Sequence, residues 1–245
     1  MTEYTRQNEY WIPGIRAVEM ILQRQSDRLI GLWYAGERDG ARARLIAQAE
    51  SVGIPTHGTT MRKLNTQFQA VQHQGIAARV SPTAYVDWEG LLSDGNGLLI
   101  AIDQVTDPRN FGAILRSAEA MGATGALTTS NRAARLGPTV TKTSAGASEL
   151  LPVAMVPNLA RALRRAQALG FQVIGADLNG ERPSAVNFGL PTVIVIGAEG
   201  KGLRRLTTDI CDHLCTIPTP GTVESLNAAS AASILVYEAQ RQRSK

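Results

Sequence analysis

The sequence predicts an α/β protein: a mostly parallel sheet covered on both faces in its longer, carboxyl-terminal part, preceded by a small α/β unit. Three observations lead there. Beyond residue 97, short continuous apolar runs alternate with helical patterns. Helical patterns stop at a glycine, as at Gly122 and Gly170. Between residues 80 and 97 the composition changes: Ser81-Pro82, an acidic stretch and Gly95-Asn96-Gly97 read as a linker.

The elements follow in order. Ile15 to Gln25 reads as a helix with Val18, Ile21 and Leu22 on one face, and Leu29 to Ala35 as a strand. Ala41 to Val52 reads as a second helix, ended by Gly53 and Pro55. Met61 to Phe68 reads as a third helix and Ile76 to Val80 as a closing strand. The expected division is therefore a domain over 1–81, a linker over 82–96 and a second domain over 97–245. In the second, Leu98 to Ile102, Gly125 to Thr129, Phe171 to Ala176 and Thr192 to Ile196 read as strands. Phe111 to Met121, Leu159 to Leu169 and Ser225 to Arg241 read as helices. Ligands of such sheets bind beyond the carboxyl ends of the strands.

Composition excludes several classes. Of 245 residues 44% are apolar and 19% charged, enough for a packed core and unlike a disordered chain. No apolar run reaches the roughly 20 residues of a membrane span. Met1 to Tyr10 is polar and lacks the apolar core of a signal peptide. Cys211 and Cys215 are too few for a disulfide framework, so a reducing cytoplasm is the expected setting. On one helix they would face the same side, but no nearby pair completes a zinc site with them, and they read as ordinary buried thiols. The net charge of +4 is too small to identify a nucleic-acid partner alone. Its distribution says more: residues 1–81 carry ten Lys/Arg against seven Asp/Glu, while 82–95 carry Asp87, Glu89 and Asp94 with no base. Only Lys63, Lys142, Lys201 and Lys245 are lysines among the 25 basic residues. An arginine excess suits phosphate recognition, and equally an arginine-rich solvated surface. His57, His73 and His213 read as structural or surface residues.

Three segments look like a site. The first, Asp103 to Arg116, reads DQVTDPRNFGAILR: it follows a buried strand and opens a helix. Asn110 suits a helix cap or a substrate contact. Gly112 and Arg116, four apart, share a helix face, and the glycine leaves room over the arginine. The second, Val193 to Leu203, reads VIVIGAEGKGL, with Glu199 amid three glycines that let backbone approach a ligand. It is neither a Walker A loop nor a dinucleotide fingerprint. The third, Ile217 to Asn227, reads IPTPGTVESLN. Pro218 and Pro220 stiffen the exit from a strand, and Ser225 suits a helix cap. The small residues Ala228 to Ser233 then permit close packing, within a buried helix or at a subunit interface.

Together and in this order the segments resemble the three signature motifs of the SpoU (TrmH) family of RNA ribose 2′-O-methyltransferases, in the SPOUT superfamily. The matching residues are Asn110, Gly112 and Arg116; Gly197, Glu199, Gly200, Gly202 and Leu203; and Ile217, Pro218, Gly221, Ser225, Leu226 and Asn227. Lys142-Thr143-Ser144-Ala145-Gly146-Ala147 is similar to the family's segment between motifs. Gly14-Ile15-Arg16-Ala17-Val18 and His73 to Val80 are similar to the amino-terminal RNA-binding domain of bacterial 23S ribosomal RNA guanosine 2′-O-methyltransferases. Thr219, Pro220 and Ala228 depart from the usual third motif. Because His73 lies in the segment similar to the RNA-binding domain, the resemblance leaves RNA contact open for it.

The resemblance implies a methyltransferase domain with a carboxyl-terminal trefoil knot, preceded by a small α/β (L30e/L7Ae-like) RNA-binding domain. It implies S-adenosylmethionine as methyl donor, held by Gly197, Gly200, Ile217 and Leu226 with Thr129 nearby. It implies 23S rRNA or a ribosome-assembly intermediate as partner, a homodimer through the knotted domain, and no membrane association. No metal is implied, because a sulfonium is already an activated electrophile. For catalysis it singles out Arg116, Asn110, Glu199, Ser225 and Asn227. Guanidinium stays protonated at ordinary pH, so Arg116 is expected to position hydroxyl and phosphate rather than to act as base. The same chemistry on tRNA or another rRNA site is the nearest alternative. A non-catalytic RNA-binding protein is the alternative from another class, and a nucleotide-binding α/β enzyme a third.

Overall fold

The structure is a computed structural model that describes residues 9–37, 39–69, 71–93, 95, 97–222 and 224–244. Residues 1–8, most of the polar amino-terminal stretch, lie outside the described residues, as do Lys245 and Asp94 and Asn96 of the expected linker. The chain divides into two compact units. One runs to Ala84 and takes in Leu136–Leu150; the other comprises Tyr85–Arg135 and the chain from Leu151 onward.

The first unit holds a four-stranded mixed sheet. Its elements are β1 (Tyr10–Pro13), α1 (Ile15–Arg24), β2 (Leu29–Ala35), α2 (Gly40–Ser51), β3 (Thr56–Thr59), α3 (Met61–Gln67) and β4 (Ile76–Val80). The strand order is β1-β4-β2-β3. Strand side chains alternate between faces. Ile12, Leu32, Ile76 and Ala78 meet Val18 and Ile21 of α1 and Leu45 and Ile46 of α2 in one core. The sequence locates three helices and two strands here to within a residue or so. It misses β1 and β3, four residues each and too short for a clear alternation.

The second unit is built on a six-stranded sheet of order β10-β8-β9-β5-β6-β7. Its strands are β5 (Leu98–Ile102), β6 (Gly125–Thr129), β7 (Val153–Val156), β8 (Gln172–Glu181), β9 (Thr192–Ile196) and β10 (His213–Cys215). Every neighbouring pair is parallel, as the apolar runs predict. Every residue of β5, β6 and β9 is buried. Leu99, Ala101, Val193 and Val195 pack with Leu159 and Leu163 of α7 (Leu159–Ala168). The other face is covered by α5 (Pro108–Ala120), which meets β6, and α9 (Ala228–Arg243), which meets β9 and α5. The chain steps from β5 outward to β6 and β7, then returns to the opposite side for β8, β9 and β10. The switch lies between β5 and β9, whose carboxyl ends are where an open α/β sheet receives its ligand.

Two stretches differ from expectation. Residues 85–93, expected within the linker, carry α4 (Trp88–Leu92), capped by Asp87 Oδ2, which accepts from the Gly90 N–H at 2.9 Å. Leu92 is fully buried beside Leu163 and Phe171. Three apolar side chains at helical spacing, Trp88, Leu91 and Leu92, outweigh the glycine-rich and acidic composition. The segment Leu136–Leu150, expected with the second domain, packs within the first unit, where α6 (Pro138–Thr143) meets β1. No described helix is long and apolar enough to cross a membrane.

Candidate functional site

The three motifs converge at the carboxyl ends of the sheet. After β5 the buried Asp103 carboxylate binds Arg204 through Nε at 3.1 Å and through Nη2 at 2.8 Å, and accepts from Thr207 Oγ1 at 2.8 Å. This ties the first motif to the chain just past the second. Asp107 then caps α5 by accepting from the Arg109 N–H at 2.9 Å, and Pro108 occupies the first helical turn. Asn110 is therefore not the cap, and its amide is left to face another chain segment. Gly112 is buried and Arg116 exposed. Among the described residues no hydrogen bond or ion pair engages the Arg116 guanidinium.

The loop after β9 doubles back on itself. A Cβ on Gly197 would lie 2.3 Å from the carbonyl carbon of Gly202, so only glycine fits there. The Gly202 N–H closes the turn on the Ala198 carbonyl at 2.8 Å. Gly200 and Gly202 have φ of +72° and +62°, a region that L side chains rarely adopt. Glu199 stands exposed at the tip.

The third motif supplies the junction. Asn227, not Ser225, caps α9: its Oδ1 accepts from the Ala229 and Ser230 N–H groups at 2.9 and 3.3 Å. That fixes the amide nitrogen on the other side. It donates to Asn110 Oδ1 at 3.0 Å and to Glu199 Oε1. A carboxylate only accepts, so the same orientation follows from Glu199. One side chain thus joins residues 110, 199 and 227.

Beside this junction lies a cavity of about 320 Å³. Gly197, Glu199, Gly200, Ile217, Ser225 and Leu226 all line it, so six of the expected site residues share one wall. Ser225 faces the cavity and caps nothing. Asn110 and Asn227 reach it through Glu199. Arg116 does not line it, and neither does Thr129, whose hydroxyl donates to the Asn131 carbonyl at 2.9 Å. Sequence reasoning missed Asp177, Leu178 and Asn179, because β8 continues five residues past the expected end at Ala176. Leu178 and Leu226 are large apolar side chains, 61% and 39% exposed, on the cavity wall. Apolar walls, main-chain groups from the glycine loop and the carboxylates of Asp177 and Glu199 make a set suited to an adenosine bearing a cationic sulfonium. The volume falls at the lower end of small-molecule sites.

Cys215 also lines the cavity. Burial, then the carboxylate of Glu181, pushes its thiol up to about 11, and burial pushes Cys211 up to about 12. Both thiols stay neutral near pH 7, consistent with their expected structural role. Cys211 follows α8 (Arg205–Thr208) and Cys215 ends β10, so they do not share a helix. His73 is buried, accepting from the Gly75 N–H and bonded to Asn65, which removes it as an RNA contact. His213 pairs with Glu181 at the surface. Among the described residues no group of three or more His, Cys, Asp or Glu side chains is placed to hold a metal ion.

Residues 97–237 match the SpoU rRNA Methylase family, and residues 11–86 match a family described as RNA 2'-O ribose methyltransferase substrate binding. The chain is 38% identical over 250 residues to the 23S rRNA (guanosine-2'-O-)-methyltransferase RlmB of Pseudomonas syringae pv. tomato, covering 95% of this chain and 96% of that one. It is 39% identical over 238 residues to RlmB of Pseudomonas aeruginosa, covering 94% and 95%. Among solved structures, the SpoU methyltransferase AviRb from Streptomyces viridochromogenes in complex with AdoMet superposes with a TM-score of 0.81 at 28% identity, covering 98% of this chain and 92% of that one. With its motifs assembled at one sheet end and matched over most of their length, the chain belongs to the SpoU rRNA methylase family.

Proposed function

We propose that this protein transfers the methyl group of S-adenosylmethionine to the ribose 2′-hydroxyl of a guanosine in 23S rRNA. The observation that carries this reading is the Asn110–Asn227–Glu199 junction on the edge of the cavity. RlmB relatives near 38% identity over almost the whole chain support the substrate, and AviRb with bound AdoMet supports the donor.

Bound S-adenosylmethionine supplies a methyl already activated by its sulfonium. The chain's own residues do the rest. The glycine loop Gly197–Gly202, Ile217 and Leu226 wall the donor with main chain and apolar surface. Glu199 and Ser225 face the ribose. Asn227 holds Glu199 and Asn110 in register, so the substrate meets a pre-set group of amides and carboxylate. Arg116, exposed and unengaged, grips the phosphate next to the target hydroxyl and lowers the cost of charge developing on its oxygen. The proton passes to phosphate or water, since guanidinium does not accept it.

Residues 1–81 serve RNA binding and 97–245 the transfer, with the carboxyl end threaded as a trefoil knot. Two copies associate through α9. Ile234 and Tyr237, three residues apart on that helix, are 39% and 59% exposed and form an apolar stripe suited to such a contact.

The test is transfer of labelled methyl to total RNA, rRNA and tRNA together, from a strain lacking the protein, with the modified nucleotide mapped. Label on the 2′-oxygen of a 23S guanosine is expected. Label on a base overturns the reaction, and label on tRNA alone overturns the substrate.

A further inference from the structure

The first unit's sheet has one face covered by α1 and α2 and a second face that carries two tryptophans. Trp33 on β2 pairs with His57 on β3 and with Ala77 on β4, and Trp11 on β1 pairs with Arg79 on β4. Cross-strand partners share a face. Two of the chain's three tryptophans therefore stand on this side, opposite the core.

The rings form a chain from interior to surface. His73 is buried, with its centroid 6.0 Å from Phe68; Phe68 is 6.0 Å from Trp11; Trp11 is 4.5 Å from Trp33; and Trp33 is 4.5 Å from His57. Leu64 of α3 and Phe68 just beyond it back the inner part against Ala35 and Ala77. The outer part has less cover: Trp11 and Trp33 are half-buried, and His57 is exposed. Trp33 is laid along the sheet. A Cβ on Gly31 would lie 2.9 Å from Trp33 Cζ3, so the indole occupies the space another side chain would take. His57 is tilted only 31° from the indole plane. Arg62 and Lys63 are exposed on α3, the helix that ends beside Phe68 and has no acidic residue. Arg79, on the same face, is ion-paired with Glu9.

We propose that this ledge of Trp11, Trp33 and His57 is a stacking platform for unpaired bases of the RNA. Exposed rings on a sheet face, with cations beside them for the backbone, are what single-stranded nucleic acid binds. A purely structural cluster explains Phe68 and His73 but leaves an exposed histidine stacked on a tryptophan with no solvent-excluding purpose. The proposal rests on RNA being the substrate and adds where its unpaired part is held.

The experiment uses the full chain, a short unstructured RNA of mixed sequence, and a duplex of the same sequence, with binding read by anisotropy of labelled RNA and by tryptophan emission. His57→Ala, a surface change, is expected to weaken single-strand binding about tenfold, within the range for losing one base–aromatic stack. Trp33→Leu weakens it at least as much, while Trp33→Phe retains most of it; melting curves establish that each variant is folded. In methyl transfer the same variants raise KM for RNA and leave kcat at saturating RNA. Unchanged single-strand binding by both His57→Ala and folded Trp33→Leu overturns the platform. Equal, ring-dependent binding of the duplex overturns the assignment to unpaired bases. If the wild-type chain binds RNA through these rings yet transfers no methyl, the platform stands and the proposed activity fails.

Discussion

Two polar junctions, one in each unit, use similar side chains to opposite ends. In the first unit Glu149 is 2% exposed and accepts from Tyr10 Oη at 3.0 Å, and from Thr141 Oγ1, Thr83 Oγ1 and Arg28 Nη1 at 2.6 Å each. Every lone pair faces a donor, as a buried carboxylate requires. In the second unit Asn227, Asn110 and Glu199 meet at the surface, and Arg116 stands with no partner among the described residues. The buried junction is saturated and closed to any ligand. The exposed one has capacity left over, which is the condition for binding something else.

Breaking the saturated junction has the largest expected effect. Glu149→Ala leaves the Arg28 guanidinium uncompensated at 11% side-chain exposure, and removing one partner of a buried pair costs about 3–5 kcal/mol. A large fall in melting temperature is the readout; a fall under about 1 kcal/mol would make the junction incidental. Breaking the open junction is expected to cost little stability, at most a helix cap, and to remove activity. Arg116→Ala lowers kcat by roughly 10²–10³, as loss of one charge-stabilising donor does, with donor affinity unchanged by calorimetry. Arg116→Lys keeps most of the rate if charge outweighs the planar fork. Asn227→Ala costs about 1 kcal/mol of capping as well as activity. Asn227→Asp keeps the cap but sets a carboxylate against Glu199, so it separates the two roles: a stable protein with activity cut at least tenfold is expected.

A titration sharpens the contrast. Burial pushes the Glu149 carboxyl up, but the Thr141 and Thr83 hydroxyls and the Arg28 guanidinium outweigh it and hold it below the ordinary 4.5. A carboxyl lowered on folding contributes stability above its unfolded value and loses it as pH falls through its folded value. Melting temperature is therefore expected to drop below about pH 4.5 in the wild type and to drop less in Glu149→Gln. The smallest effect concerns the cysteines: thiols held neutral by burial react slowly at pH 7, and labelling of Cys215 at the rate of a free peptide thiol would show the cavity wall to be open.

Much of this was legible in the residues. The second sheet's short runs of apolar and β-favouring residues are buried on both faces, so composition and flanking glycines marked β5, β6 and β9 to the residue. The cavity residues 197, 199, 200, 217, 225 and 226 were reached by motif resemblance rather than periodicity. What escaped depends on contacts distant in sequence. Asn110 looked like a cap because capping residues are few, but Asp107 three residues earlier took the place. Helix α9 begins at Ala228, not Ser225, because Asn227 rather than Ser225 satisfies its first N–H groups. Nothing near Glu149 in sequence announces Tyr10, 139 residues away, as its donor. Nor does any local pattern announce that Trp33 rests on Gly31.

The excursion of Leu136–Leu150 into the first unit changes what counts as a module in this protein. A fragment ending near residue 84 lacks the carboxylate that neutralises Arg28, and a fragment beginning near 85 carries Glu149 without Arg28, Tyr10 or Thr83. Neither half is self-sufficient. Exchange of the amino-terminal part between relatives therefore has to carry two separated pieces of sequence together, and the family's two portions are expected to vary in concert at these five positions: 10, 28, 83, 141 and 149.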